Sequence, residues 1–186
     1  MKRTVERSQQ AWARATAGLV ALACGALVFV TPAFAQQATF NDALVDHLAG
    51  KWMLTGEVAH KQTTHDVSAA WVMNHQYLQI RETSHEKNAD GMPFYDATIY
   101  VGWDESTKHY VCVWLDNYGS ISTQSLGYAV RVGDSIAFVF QDRDDDSKFH
   151  TTFAYDAASN SWTMNMDQGP DGKLKPFARA TLTRAK

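Results

Sequence analysis

The stretch Phe40-Asn41-Asp42-Ala43-Leu44-Val45-Asp46-His47-Leu48-Ala49-Gly50-Lys51-Trp52 decides how this chain folds. Phe40, Leu44, Val45 and Leu48 recur at helical spacing, Asn41 is placed to cap the first turn, and Gly50 is the expected stop. A short helix therefore runs into a tight glycine and out into a strand whose third residue is a tryptophan. A closed antiparallel barrel starts in this way. The helix caps one end, and the Trp52 ring plugs the floor.

From there to the C-terminus the chain reads as one short strand after another. Turn signals recur at Lys61 to Thr64, Asn74-His75, Asn88 to Pro93, Asp104 to Lys108, Asn117 to Gly119, Gly133-Asp134, Asp142 to Asp146, Asp156 to Asn160 and Gly169 to Gly172. These nine turns separate ten strands, and no helical period longer than two turns lies between them. That spacing argues against a parallel α/β sheet and for hairpin-linked antiparallel strands. Several strands alternate cleanly. Tyr95, Ala97, Ile99, Val101 and Trp103 oppose Asp96 and Thr98; Phe149, Thr151, Phe153 and Tyr155 oppose His150 and Thr152; Trp162, Met164 and Met166 oppose Thr163, Asn165 and Asp167. Such strands belong to a sheet with one solvated face. Ten of them hide both edges by closing on themselves, and an even number makes the first and last antiparallel as well. The expected architecture is all-β: a ten-stranded antiparallel up-and-down barrel with a short N-terminal capping helix. A sandwich is the alternative, but nothing in the spacing suggests the long crossovers of a Greek key. With the helix below the floor, the opposite rim gathers the turns at Lys61 to Thr64, Asn88 to Pro93, Asn117 to Gly119, Asp142 to Asp146 and Gly169 to Gly172. That rim is the expected mouth.

The first 35 residues read as an export signal. Lys2, Arg3, Arg7 and Arg14 form a basic leader, Ala17 to Val30 is a short apolar run, and Ala33-Phe34-Ala35 supplies a small-x-small cleavage site. Pro32 ends the run before it reaches the roughly 20 residues a membrane span needs. Cys24 lacks a leucine three residues before it, where Ala21 stands, which speaks against a lipoprotein signal. The expected division is a signal peptide over 1–35 and one barrel domain over 36–186, periplasmic or secreted, with no membrane span after cleavage. Cleavage removes four of the 17 basic and one of the 20 acidic residues; 13 and 19 remain, a net charge of −6. An acidic domain has no electrostatic footprint for nucleic acid. Cys112 is then the sole cysteine, so no intrachain disulfide forms, and a lone thiol in a strand reads as a small buried apolar group.

No catalytic motif stands out. The chain has no Gly-x-Ser-x-Gly elbow, His-Glu-x-x-His pair, phosphate-binding glycine loop or Cys-x-x-Cys pair. Asp142, Asp144 and Asp146 have the opening spacing of a calcium loop, but Ser147 and Phe153 stand where its glycine and glutamate belong. His60 and His65 flank the first expected turn, and His85 ends the third strand. Three imidazoles near one rim raise a shared transition metal, against the plainer reading of solvated rim side chains. No cofactor or metal is assigned. Glu82 shares a face with Leu78 and Ile80 and so points inward, as a polar anchor for a ligand or as half of an internal pair with a basic residue. Arg184, in the last strand, is placed to stack on Trp52.

Longer motifs carry a resemblance. Leu48-Ala49-Gly50-Lys51-Trp52, Ala70-Trp71-Val72-Met73-Asn74-His75-Gln76-Tyr77-Leu78, Tyr100-Val101-Gly102-Trp103-Asp104, Lys108-His109-Tyr110 and Trp114-Leu115-Asp116-Asn117 together resemble the bacterial family called domain of unknown function 1579. Trp103 departs from the tyrosine more usual there. The resemblance spans essentially all of 36–186 and implies a calycin-type barrel, similar to lipocalins and fatty-acid-binding proteins. It implies no chemistry. A haem-binding nitrobindin-like barrel is a more distant relative in shape, for which His150 is the position to watch.

The interior-facing residues carry the functional expectation. Trp71, Met73, Ile80, Ile99, Phe138, Phe153, Met164 and Met166, with Glu82 among them, suit an adaptable pocket for a small apolar molecule. The opposing possibility is that these side chains fill the barrel, which then serves as an envelope protein-interaction module. An enzyme, or a metal- or haem-binding barrel, ranks third. The sign of an enzyme is Glu82 facing another polar residue inside a cavity open to water. The sequence leaves oligomeric state open.

Overall fold

Helix α1, Ala43–Leu48, buries Leu44, Val45 and Leu48 against the barrel, as their spacing requires. Its cap is Asp42 rather than Asn41. One carboxylate oxygen of Asp42 accepts from the backbone N–H groups of Leu44 (2.8 Å) and Val45 (3.0 Å), while Asn41 turns back to the Thr39 hydroxyl at 2.9 Å. The other Asp42 oxygen accepts the Tyr110 hydroxyl at 2.5 Å, which ties the helix to the strand beneath it. Burial, and then this bond, push the Tyr110 pKa up to about 12, so the hydroxyl stays a donor. The computed structural model describes residues 39–119, 123–141 and 148–186. The export segment and the acidic loop with Asp142, Asp144 and Asp146 lie outside the described residues.

The strands follow in chain order: β1 Gly50–Val58, β2 Lys61–Val72, β3 Tyr77–Ser84, β4 Asp96–Asp104, β5 His109–Asp116, β6 Leu126–Ala129, β7 Arg131–Val132, β8 Ser135–Gln141, β9 Lys148–Asp156, β10 Ser161–Gly169 and β11 Lys175–Arg184. Chain neighbours pair antiparallel from β1 to β6 and from β7 to β11. Two further ladders close the ring. β1 pairs with β11 from Trp52↔Arg184 to Val58↔Ala178, and β6 meets β8 at Gly127↔Phe140 and Tyr128↔Val139. The two-residue β7 only extends the foot of β8, so ten strands make the closed barrel. Among the described residues the ladders run round the ring without an open edge.

The floor is fastened where the ends of the chain meet. Trp52 is fully buried and donates its indole N–H to the Leu48 carbonyl at 2.7 Å. The Arg184 guanidinium lies 3.8 Å from the centre of the Trp52 ring and donates to the Ala49 and His47 carbonyls at 2.8 and 3.0 Å, satisfying the end of α1. Gly50 is required here. Its φ is +126°, and a Cβ would stand 2.3 Å from an Arg184 nitrogen.

One turn sits elsewhere than its residues suggest. The first hairpin reverses at Ala59-His60, with φ of 49° and 63°, and Val58 pairs with Lys61. Residues 61–64 therefore belong to β2. A two-residue loop with both φ positive is the tight hairpin usually written with Asn and Gly, and neither residue is present to signal it. The second reversal takes Met73, Asn74 and His75 through positive φ. Cys112 is buried as its setting suggests, and burial pushes its thiol pKa up.

Candidate functional site

The barrel is filled at the helix end and hollow at the other. Trp52, Leu54, Leu78, Ile99 and Trp162 belong to the solid core. Above them a cavity of about 860 Å³ opens between Val58-Ala59, the Phe94-Tyr95 segment, Tyr118-Gly119 and Gln168. This is the helix-free rim to which strand direction assigns the mouth.

Aromatic and thioether groups make much of the wall. Trp114, Phe140, Phe149, Met164, Met166 and Phe177 all line it. Phe149 and Phe177 meet edge to face at 5.0 Å, as do Trp114 and Phe140 at 6.4 Å. Lys61 lies 5.7 Å over the Phe94 ring at the lip, and Lys148 is paired with Asp171. Asp171 is held below the usual carboxylate range by its hydrogen bond to Lys148.

Into this wall is set a chain of polar groups. His65 on β2 is paired with Ser84, and Glu82 on β3 with Val67. Their inward side chains thus meet on the diagonal of the ladder. His65 Nδ1 lies 2.5 Å from Glu82 Oε1, both side chains only 5–6% exposed, and His65 Nε2 lies 2.7 Å from the Thr63 hydroxyl. The carboxylate can only accept, so Nδ1 carries a proton and donates to it; with the imidazole neutral, Nε2 accepts from Thr63. Tyr95 stacks on the His65 ring at 5.5 Å and 25°, and its oxygen accepts the Trp114 indole N–H at 2.8 Å. Burial, followed by the charge of Glu82, pushes the Tyr95 pKa well up, so its hydroxyl remains protonated. Thr151, on β9 across the barrel, is 1% exposed and lines the cavity, yet its hydroxyl has no hydrogen-bond partner among the described residues.

The interior residues singled out from the sequence divide accordingly. Glu82, Met164 and Met166 line the cavity. Ile80, Ile99, Phe138 and Phe153 face inward but are spent in the core. Trp71 faces inward at the closed end, where its indole N–H donates to Asp46 at 2.9 Å and its ring stacks on His75 at 3.9 Å. Met73 is a correction: it is 65% exposed, because the strand ends at Val72 and its alternation ends with it. The remaining histidines diverge from His65. His60 stands in the hairpin tip with its side chain 90% exposed, beside Glu57, and His85 turns outward to Asp66 at 3.0 Å. Among the described residues no three His, Cys, Asp or Glu side chains are grouped to hold a metal. His150 lies on β9 with its Nε2 3.9 Å from Asp171. Sequence reasoning missed Thr63, Tyr95, Trp114, Phe140 and Thr151. The parity of His65 with Val67 was the available signal for the His65–Glu82 pair.

No family model and no curated protein matches this chain. Among solved structures it is similar to a redesigned β barrel, at 10% identity with a TM-score of 0.43, over 80% of this chain and 100% of that one. The architecture is read from the strand ladders themselves. Among the described residues no helix is long and apolar enough to cross a membrane.

Proposed function

We propose that this protein binds a small, largely apolar molecule in the upper half of the barrel. The observation that supports this reading is the cavity of about 860 Å³, within the size of small-molecule sites, walled by aromatic and methionine side chains and holding a few polar ones. A filled barrel acting only through its outer surface would have no use for such a space. We place the protein with the domain of unknown function 1579 family on the motifs ending at Trp52, Leu78, Trp103 and Asn117. We further propose export, with cleavage after Ala35. Protein recovered from the periplasm then begins at Gln36, and a retained N-terminus would overturn export with cleavage.

The test of binding fills the space. The purified protein is expected to enhance N-phenyl-1-naphthylamine fluorescence saturably. Thr151→Trp puts an indole into the cavity and weakens that binding by about tenfold or more, a loss of roughly 1.4 kcal/mol, with the unfolding midpoint kept. Unchanged affinity in the variant would place the probe on the outer surface and remove the reading.

A further inference from the structure

We propose that Thr63, His65 and Glu82 form a hydroxyl–imidazole–carboxylate relay that hydrolyses small apolar esters admitted to the cavity. This rests on the cavity binding apolar molecules, and it gives the polar chain in the wall a task. The geometry carries it: 2.7 Å from the Thr63 hydroxyl to His65 Nε2, and 2.5 Å from His65 Nδ1 to Glu82 Oε1. A nucleophile, a base and a group that orients the base are thus in line, and such a set is recognised by geometry and roles, not by sequence order. Glu82 fixes the tautomer that leaves Nε2 free to accept. Thr63 lines the open cavity, so its oxygen is within reach of a bound molecule while His65 stays covered.

A donor for the developing oxyanion is at hand. Tyr95 lies against His65, its oxygen accepts the Trp114 indole N–H, and its hydroxyl stays protonated and so can donate. The unpartnered Thr151 hydroxyl on the opposite wall points to an occupant that is not wholly hydrocarbon.

The steps balance. His65 Nε2 takes the Thr63 hydroxyl proton as Oγ1 bonds to the acyl carbon. The acyl–oxygen bond of the ester then breaks, and the departing alcohol takes the proton from Nε2. Water enters, loses a proton to Nε2 and attacks the acyl group on Thr63. The carboxylic acid leaves, and the proton returns to Thr63. Ester and water become acid and alcohol, with no other reactant.

The probe is p-nitrophenyl butanoate. The purified protein is expected to release p-nitrophenol with an initial burst and to carry a butanoyl group on the peptide containing Thr63. Thr63→Val and Glu82→Gln lower kcat by roughly 10³-fold or more while N-phenyl-1-naphthylamine is still bound saturably, and Thr63→Ser restores turnover. Saturable probe binding without hydrolysis above buffer would overturn the relay and leave the cavity reading standing. Hydrolysis that survives in Thr63→Val would overturn Thr63 as nucleophile. Neither binding nor hydrolysis would overturn both.

Discussion

Trp52→Ala lowers the unfolding free energy by roughly 3–5 kcal/mol, measured by urea denaturation with the slope of the transition unchanged. The indole is 1% exposed and is held from three sides: by the core, by the Leu48 carbonyl and by the Arg184 guanidinium. Truncation leaves a void that α1 cannot collapse into, since Asp42 pins the helix to Tyr110. It also removes the surface on which Arg184 lies while it caps the helix. A loss below about 1 kcal/mol would show that the floor is closed by something other than this ring.

The second large effect concerns the buried pair. His65→Leu strands the Glu82 carboxylate in a wall where its side chain is 5% exposed, and removing one partner of such a pair costs about 3–5 kcal/mol. Glu82→Met added to it removes the orphan, and replacing a buried pair with apolar residues is often neutral or stabilising. The expected order by denaturation is therefore single variant far below the native protein and double variant close to it. A double variant as unstable as the single would make the pair a stabilising element in its own right. Recovery of stability would leave the pair without a structural purpose and direct attention to its chemistry.

Much of the barrel was legible because its signals are local. Alternation at Ala97-Ile99-Val101 and Trp162-Met164-Met166, and the helical spacing ahead of Gly50, depend only on which side chains must leave water. The stacking of Arg184 on Trp52 followed from closure, since the last strand has to meet the first. The site was less legible because it depends on register, and register depends on where turns fall. Reading the first turn at 61–64 sets His60 and His65 on its two flanks. The Ala59-His60 reversal instead sets His65 opposite Leu54. His65 and Glu82 themselves meet through the register of β2 with β3, which the reversal after Val72 sets at Val72↔Tyr77. Met73 failed for a related reason, lying one residue past the last paired position of β2. The hollow itself has no sequence signature. Phe138 and Phe140 are two residues apart on β8 and both buried in the core, yet only Phe140 also lines the cavity.

The β1–β11 seam carries a kinetic consequence. Arg184 and Ala49, which it brings together, are 135 residues apart in sequence. Most other ladders join chain neighbours across short turns, and such hairpins form early, each closing its own small loop. The seam must wait for nearly the whole chain. The entropy of closing so long a loop rises only slowly with length, about 0.6 kcal/mol for each doubling, so the seam slows folding more than it weakens the fold. Non-local pairing of this kind places the protein among slow-folding β topologies. A circular permutant opened at the Arg131–Asp134 turn, with β11 linked to the residues ahead of α1, makes the β1–β11 ladder local and turns β6–β8, which meet at Gly127↔Phe140, into the distant seam. Its refolding stays slow, because a closed ring of strands keeps one such seam wherever the chain is opened.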